Sequence, residues 1–221
     1  MMTPPPSAIW LFVTHLGAAG IMLPMLLMIA AGLWLAGQKS AVVTWSLAMT
    51  TGAVVVLASK VAFIGWGWGS TSLNFTGISG HTMLAASIFP VWMGWLLAGP
   101  GRRFSLYGVA LGLAIGAVVG WSRLVVGAHS PSEVILGWFL GMGVSLVACK
   151  AIKGEVPSQG WGKLVAVLLL LTFSPSLSGY LPTHKWEVRV ALALSGHARP
   201  YVRQDLYRPA RSVAGESPRL S

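Results

Sequence analysis

The chain has 221 residues, of which 55% are hydrophobic and only 9% are charged. Soluble domains usually carry about 25% charged residues, so this composition excludes an ordinary soluble protein and indicates a membrane protein. The formal net charge is +10. Because the basic residues fall between apolar segments or in the C-terminal tail, we expect no nucleic-acid partner. The single cysteine, Cys149, excludes an internal disulfide and a cysteine-cluster metal site.

Apolar segments follow one another along the chain and predict an all-α fold, an integral membrane bundle of six transmembrane helices. Helices are the natural interpretation, because backbone polar groups in hydrocarbon have no water to bind. A short interfacial helix is predicted over 9–15, before the first span. The six spans are predicted over 16–36, 42–66, 81–98, 104–120, 133–152 and 163–181.

The predicted spans define one six-helix membrane domain over residues 1–182. Residues 183–221 follow it as a basic tail, which we interpret as partly disordered and attracted to anionic head groups. Glycines recur at every fourth residue of the fourth span, and such a stripe permits the close approach of a neighbouring helix. These glycines are Gly108, Gly112, Gly116 and Gly120.

Alternate crossings of six spans would place four helix ends on one face of the membrane. These ends lie near Lys60, Ser79, Arg123 and His129. The opposite face would hold short loops rich in lysine and arginine, which mark a cytoplasmic face. We therefore expect an integral protein of a bacterial inner membrane, with its polar site facing the periplasm or the outside. The basic residues of those loops are Lys39, Arg102, Arg103, Lys150, Lys153 and Lys163.

A first short motif, Ser79-Gly80-His81, stands directly before the predicted third span. At that position a serine hydroxyl, the glycine amide and the free amides of the helix start can bind an anion. His81 would then face whatever anion binds. The alternatives are an ordinary N-cap for Ser79 and a hydrogen-bonded interfacial histidine for His81.

A second motif contains His129 and Glu133, which are four residues apart. The carboxylate can reach one imidazole nitrogen, fix the tautomer and leave the other nitrogen free to attack. Ser132 is interpreted as the N-cap of the fifth span, with Glu133 in its first turn. The alternative for Glu133 is a helix-start charge without a catalytic role.

Two cationic residues complete the set of candidates. Arg123 offers a planar guanidinium that suits a phosphate group. Lys60 lies inside an apolar stretch, where a charge is expensive and is by default a functional hypothesis. The alternative for both residues is snorkelling to the lipid head groups.

These residues resemble the motifs of the type 2 phosphatidic acid phosphatase family of membrane lipid phosphatases. The family's third motif, Ser-Arg-x5-His-x3-Asp, matches residues 122–133 with its spacing intact and with glutamate as the final acid. The second motif, Pro-Ser-Gly-His, matches residues 79–81, with Ile78 in place of proline. In the first motif, Lys-x6-Arg-Pro, Lys60 fits, but Gly67-Trp68 stand where Arg-Pro is expected.

The resemblance implies a hydrolase that acts on a lipid phosphate or diphosphate, such as phosphatidic acid, phosphatidylglycerol phosphate or an isoprenyl diphosphate. It implies that His129 attacks phosphorus to form phosphohistidine, that Glu133 holds the other ring nitrogen, and that His81 protonates the leaving oxygen. It also implies no metal and no other cofactor, because cationic groups would do the work of magnesium. The implied phosphate-binding residues are Lys60, Ser79, Gly80 and Arg123.

Two other interpretations remain open, and the missing first-motif arginine motivates the first of them. One is a degenerate family member that binds lipid phosphate with little or no turnover. The other is a small membrane transporter or scaffold, whose polar residues serve packing or a permeation path. The sequence does not choose among the lipid substrates, and it assigns no oligomeric state.

Overall fold

A computed structural model describes residues 7–98, 105–153 and 183–207, and the regular elements within these ranges are helices. An isolated bridge pairs Ser70 with Phe75. The predicted all-α class is confirmed. The helices are α1 (Ala8–His15), α2 (Ala19–Leu35), α3 (Lys39–Trp66), α4 (Gly80–Leu96), α5 (Leu106–Val125), α6 (Pro131–Ala151) and α7 (Thr183–Ser195), followed by a 3₁₀ turn at Arg203–Tyr207.

Three of these helices, α3, α5 and α6, are long and apolar enough to cross a membrane. Helices α1 and α2 meet at a bend of 41° and form a fourth span if they are counted as one. Helix α4 occupies the predicted third span but has only 17 residues, somewhat fewer than the ~20 that cross the hydrocarbon core. The predicted sixth span, 163–181, lies outside the described residues. The described part of the chain thus contains three or four clear spans, and the number six stays a prediction.

Helix α4 is the centre of the bundle and packs against both α5 and α6. The predicted glycine stripe of α5 faces it directly. A Cβ atom at Gly112 would collide with the backbone of Pro90, and one at Gly116 would stand 3.0 Å from the Ala86 Cα atom. The glycines therefore let two backbones approach more closely than any side chain allows.

This close approach predicts a large effect of a small substitution. Gly112→Ala places a methyl group against the backbone of α4, which cannot move aside as a flexible side chain would. We expect the free energy of unfolding to fall by about 1–3 kcal/mol, measured by reversible unfolding of the purified protein in detergent. Gly143→Ala is the matched control, because a Cβ atom at that helical glycine meets nothing within 4 Å. Equal stability of the two variants would contradict the packing argument.

Residues 183–207 form a feature that the sequence analysis did not anticipate, since it treated 183–221 as a basic tail. Helix α7 buries Ala191 against the C-terminal end of α3, beside Val61 and Ile64. Beyond α7, the Tyr201 amide donates to the Ile64 carbonyl at 2.9 Å. The segment is held by apolar contacts and hydrogen bonds with the bundle, and it lies at the same end as the predicted site.

Gly67 ends helix α3 in a left-handed conformation, with φ of 71°. Glycine adopts this conformation without steric cost, whereas other residues are strained there. The Tyr201 ring also lies 3.0 Å from the position that a Cβ atom would occupy. The family motif has arginine at this position. In this chain, both the backbone conformation and the nearby Tyr201 ring favour glycine there.

Candidate functional site

Helix ends that are far apart in the sequence meet at one end of the bundle. The Ser79 amide donates to the Glu133 carbonyl at 3.1 Å and joins the start of α4 to the start of α6. The Ile78 amide donates to the Ser59 hydroxyl at 3.0 Å and joins the same loop to α3. The end of α5 is joined to α1, because Arg123 Nη1 donates to Thr14 Oγ1 at 2.7 Å. The predicted site residues lie at this junction.

His129 and Glu133 form the pair that their spacing predicts. Nδ1 of His129 lies 2.7 Å from Oε2 of Glu133. The Glu133 side chain is 0% exposed, and that of His129 is 14% exposed. The carboxylate is therefore shielded from water, while the imidazole keeps a small exposed surface.

The start of α6 differs from the sequence interpretation, which placed the N-cap at Ser132. The N-cap is Ser130, and Pro131 follows in the first turn, where its missing N–H costs nothing. Glu133 consequently stands at N3, and its Oε2 accepts from the Ser130 amide at 3.1 Å, as in a capping box. The helix-start role and the pairing with His129 are thus both filled by one carboxylate.

Three further donors surround the Glu133 carboxylate. Oε1 accepts from the Thr76 amide at 2.6 Å and from the Thr76 hydroxyl at 2.7 Å. Nη2 of Arg203 donates to both carboxylate oxygens, at 2.9 and 2.8 Å. So many donors hold the carboxylate in its ionised form. An ionised Glu133 accepts a hydrogen bond from the N–H group at Nδ1 of His129, so the lone pair of the ring lies on Nε2.

The charge state of His129 follows from its surroundings. Burial is the main influence, and it lowers the pKa of His129 below its ordinary value. The hydrogen bond and charge of Glu133 oppose this shift, whereas the positive charges of Arg123 and Lys60 add to it. The imidazole is therefore neutral at neutral pH, which is the form that a nucleophile requires.

The predicted cations lie within electrostatic reach of both histidines. Arg123 and Lys60 act on His129 and on His81. Lys60 Nζ also forms an ion pair with Oε1 of Glu187 in α7 at 2.7 Å. The Lys60 ammonium is thus close to the predicted site but already shares its charge with a carboxylate of the C-terminal segment.

The Ser79-Gly80-His81 motif lies at the start of α4, as predicted. Ser79 is the N-cap and is fully buried. Its hydroxyl lies 2.9 Å from the Thr82 hydroxyl, so this oxygen already has a partner inside the protein. Gly80 and His81 begin the helix and are partly exposed. Of the three, the Gly80 amide and the His81 ring are therefore the better placed to meet a ligand.

Sequence reasoning missed three residues that contact the site: Thr76, Glu187 and Arg203. Thr76 carries no motif, and only its place in the loop before Ser79 relates it to the site. Glu187 and Arg203 belong to the segment that was interpreted as a tail. One signal was available for Arg203, because the first motif lacks an arginine and the C-terminal segment contains several.

No group of three or more histidine, cysteine, aspartate or glutamate side chains within residues 7–98, 105–153 and 183–207 is arranged to hold a metal ion. The one carboxylate at the centre of the site is already bonded to His129 and Arg203. The expectation that the site works without a cofactor stays a prediction.

Comparisons with known proteins identify the family of the chain. Residues 62–156 match the family model of the PAP2 superfamily. An uncharacterized 22.5 kDa protein in the cps region of Klebsiella pneumoniae is 35% identical over 217 residues, which cover 91% of this chain and 99% of that protein. No solved structure shows significant similarity to the chain. The similarity to the Klebsiella protein thus extends beyond the motifs to nearly the whole chain.

Proposed function

The chain belongs to the PAP2 superfamily, and we propose that it is an integral membrane phosphatase that removes phosphate from a lipid phosphate or diphosphate. The observation that carries the proposal is the 2.7 Å contact between His129 Nδ1 and a buried Glu133. This contact leaves a neutral Nε2 beside two cations. Such an arrangement suits nucleophilic attack on phosphorus and the binding of its negatively charged oxygens.

In the proposed reaction, Nε2 of His129 forms a bond to phosphorus while the bond from phosphorus to the leaving oxygen breaks. His81, which enters this step as imidazolium, gives a proton to that oxygen, which belongs to a lipid alcohol or, for a diphosphate, to a lipid monophosphate. A water molecule then attacks the phosphohistidine, and His81 takes up one of its protons. Phosphate leaves, and both imidazoles return to their starting forms.

The phosphate oxygens would be bound by Arg123, by Lys60 and by the Gly80 amide at the start of α4. Ser79 would contribute mainly by capping that helix, because its hydroxyl is buried and paired with Thr82. A bound phosphate would compete with Glu187 for the Lys60 ammonium. We propose that this site opens to the periplasmic or outer side of a bacterial inner membrane, the side opposite the basic loops.

The direct test is release of inorganic phosphate by the purified protein in detergent, over phosphatidic acid, phosphatidylglycerol phosphate and isoprenyl diphosphates. We expect release from at least one of these lipids and much slower release from water-soluble phosphate esters. Release that does not depend on the lipid portion would contradict the assignment of a membrane lipid as substrate.

A second candidate function, binding of lipid phosphate with little turnover, is favoured by one observation. The Lys60 ammonium is paired with Glu187, and glycine stands where the family motif has arginine, so the site offers less free positive charge. Tight binding of a phosphate analogue, together with no release from any lipid of the panel, would support this second function against the first.

The response to chelators is a separate prediction. Because side chains and backbone amides would neutralise the phosphate charge, about 1 mM EDTA is expected to leave phosphate release nearly unchanged. The measurement is the initial rate before and after incubation with the chelator. Complete loss that a divalent cation restores would point to a metal-dependent mechanism.

A further inference from the structure

Arg203, in the C-terminal segment, contacts the central carboxylate of the site. Nη1 donates to the Asn74 carbonyl at 2.7 Å and to its side-chain Oδ1 at 2.9 Å. Nη2 donates to the Thr76 hydroxyl at 3.0 Å and to both oxygens of Glu133. The Arg203 side chain is 35% exposed, whereas the carboxylate that it contacts is 0% exposed. A guanidinium is thus fixed between the loop before α4 and the start of α6.

Building on the phosphatase function proposed above, we propose that Arg203 is a positioning residue that acts on His129 through Glu133. It contacts both carboxylate oxygens, and one of them, Oε2, also accepts from His129 Nδ1 and from the Ser130 amide. It therefore sets the orientation of the carboxylate. Its positive charge also offsets part of the negative charge that Glu133 exerts on the imidazole.

The need for such a residue follows from the identity of Glu133. Glutamate has one more rotatable bond than the aspartate of the family motif, so its carboxylate has more conformers to lose. Nη1 of Arg203 is fixed on Asn74 while Nη2 contacts both carboxylate oxygens, so the planar guanidinium restricts the carboxylate more than a single hydrogen bond would. Together with the Thr76 donors, Arg203 holds the longer side chain in the one orientation that meets His129 Nδ1.

The path of the chain explains why this arginine comes from the C-terminal segment. Gly67, at the expected arginine position, has a left-handed conformation and lies against the Tyr201 ring. Arginine there would be strained and would collide with that ring. The segment that occupies this space delivers its own guanidinium two residues later, at Arg203. The guanidinium of Arg203 contacts Glu133, whereas the motif arginine would be expected to bind phosphate.

The charge of Arg203 has a measurable consequence for His129. Removing it leaves the Glu133 charge less compensated, which favours the protonated imidazolium. The other charged or titratable groups around the imidazole are Lys60 of α3, His81 of α4, Arg123 of α5 and Glu187 of α7. None of these changes in an Arg203 variant, so a shift in the titration of His129 reports the lost guanidinium.

The test compares Arg203→Gln with Arg203→Lys. Arg203→Gln is expected to move the acidic limb of the kcat/KM profile to higher pH by about one unit and to lower kcat about tenfold, with little change in KM. Arg203→Lys keeps the positive charge but loses the planar guanidinium. The acidic limb of its kcat/KM profile should therefore stay near that of the wild type, while kcat still falls. Arg189→Gln is the control, because it removes a like charge from an exposed α7 residue that lies over the Trp186 ring.

A second measurement does not depend on turnover. Diethyl pyrocarbonate modifies neutral imidazole, and the modification of His129 can be followed by peptide mass spectrometry as a function of pH. The midpoint for His129 should rise by about one pH unit in Arg203→Gln and stay unchanged in Arg189→Gln. An unchanged midpoint in folded Arg203→Gln or a shifted one in Arg203→Lys would overturn the proposal, as would full wild-type kcat in both Arg203 variants.

The two readouts separate this inference from the proposed function. If the wild type releases no phosphate but the labelling midpoint shifts, the proposed function fails and the positioning role stands. If the wild type releases phosphate and neither the profile nor the midpoint moves, the positioning role alone fails.

Discussion

Replacing His129 with alanine is expected to stop phosphate release from a lipid substrate. The variant lacks the only imidazole that the buried Glu133 carboxylate orients in the described site, and loss of a nucleophile commonly costs about 10⁴-fold or more in kcat. The fold should persist, because His129 lies in the loop before α6 and is not part of the hydrophobic core clusters. The measurement is phosphate release in detergent, beside the melting temperature of the same preparation.

The nucleophile assignment has its own chemical signature. Acid quenching of the wild type during turnover of a phosphate-labelled lipid should leave a phosphoryl group on His129, which peptide mapping can locate. His184→Ala is a suitable control, because the His184 side chain is 81% exposed and the variant should keep its activity. Turnover that survives in a folded His129→Ala protein would show that another group attacks phosphorus.

The second large effect is expected for Glu133→Gln, which should lower kcat by about 10³–10⁴-fold. A glutamine amide that donates to Nδ1 of His129 would force the ring proton onto Nε2 and remove the attacking lone pair. The opposite orientation of the amide turns its NH2 group towards the Arg203 and Thr76 donors. Either orientation leaves a buried polar group badly paired, so the catalytic tautomer is lost or destabilised.

The control for this variant is Glu133→Asp, which restores the acid of the family motif and keeps the charge. It should lose less activity than Glu133→Gln, although its shorter side chain no longer reaches every donor. Substrate binding should change little in both, since the carboxylate contacts His129 and not the phosphate. If Glu133→Gln is as fast as the wild type, Glu133 has no catalytic role and serves only as a charge at the start of α6.

Much of the architecture could be predicted from the sequence, because it depends on local and periodic features. Apolar segments gave the approximate positions of the helices, and the four-residue spacing of His129 and Glu133 gave their pairing. The stripe from Gly108 to Gly120 predicted a close helix contact, which α4 provides. These features depend on residues that are near one another in the chain.

What the sequence did not reveal depends on contacts between distant residues. Arg203 meets Glu133 across 70 positions, and Glu187 meets Lys60 across 127 positions. No periodicity or spacing rule links such pairs, since the path of the chain between them decides where they meet. The misplaced N-cap has a local cause, because Ser130 and Ser132 flank the same proline and both are typical capping residues.

The contact between Arg203 and Glu133 also has a consequence for biosynthesis. The family match ends at residue 156, yet the donor set around the central carboxylate requires a residue close to the C-terminus. When the ribosome has added Glu133, the last of the motif residues, the guanidinium of Arg203 does not yet exist. The contacts around Glu133 are therefore complete only once residue 203 has been added, and a chain shortened after α6 would keep the motif residues without the full set of contacts around Glu133.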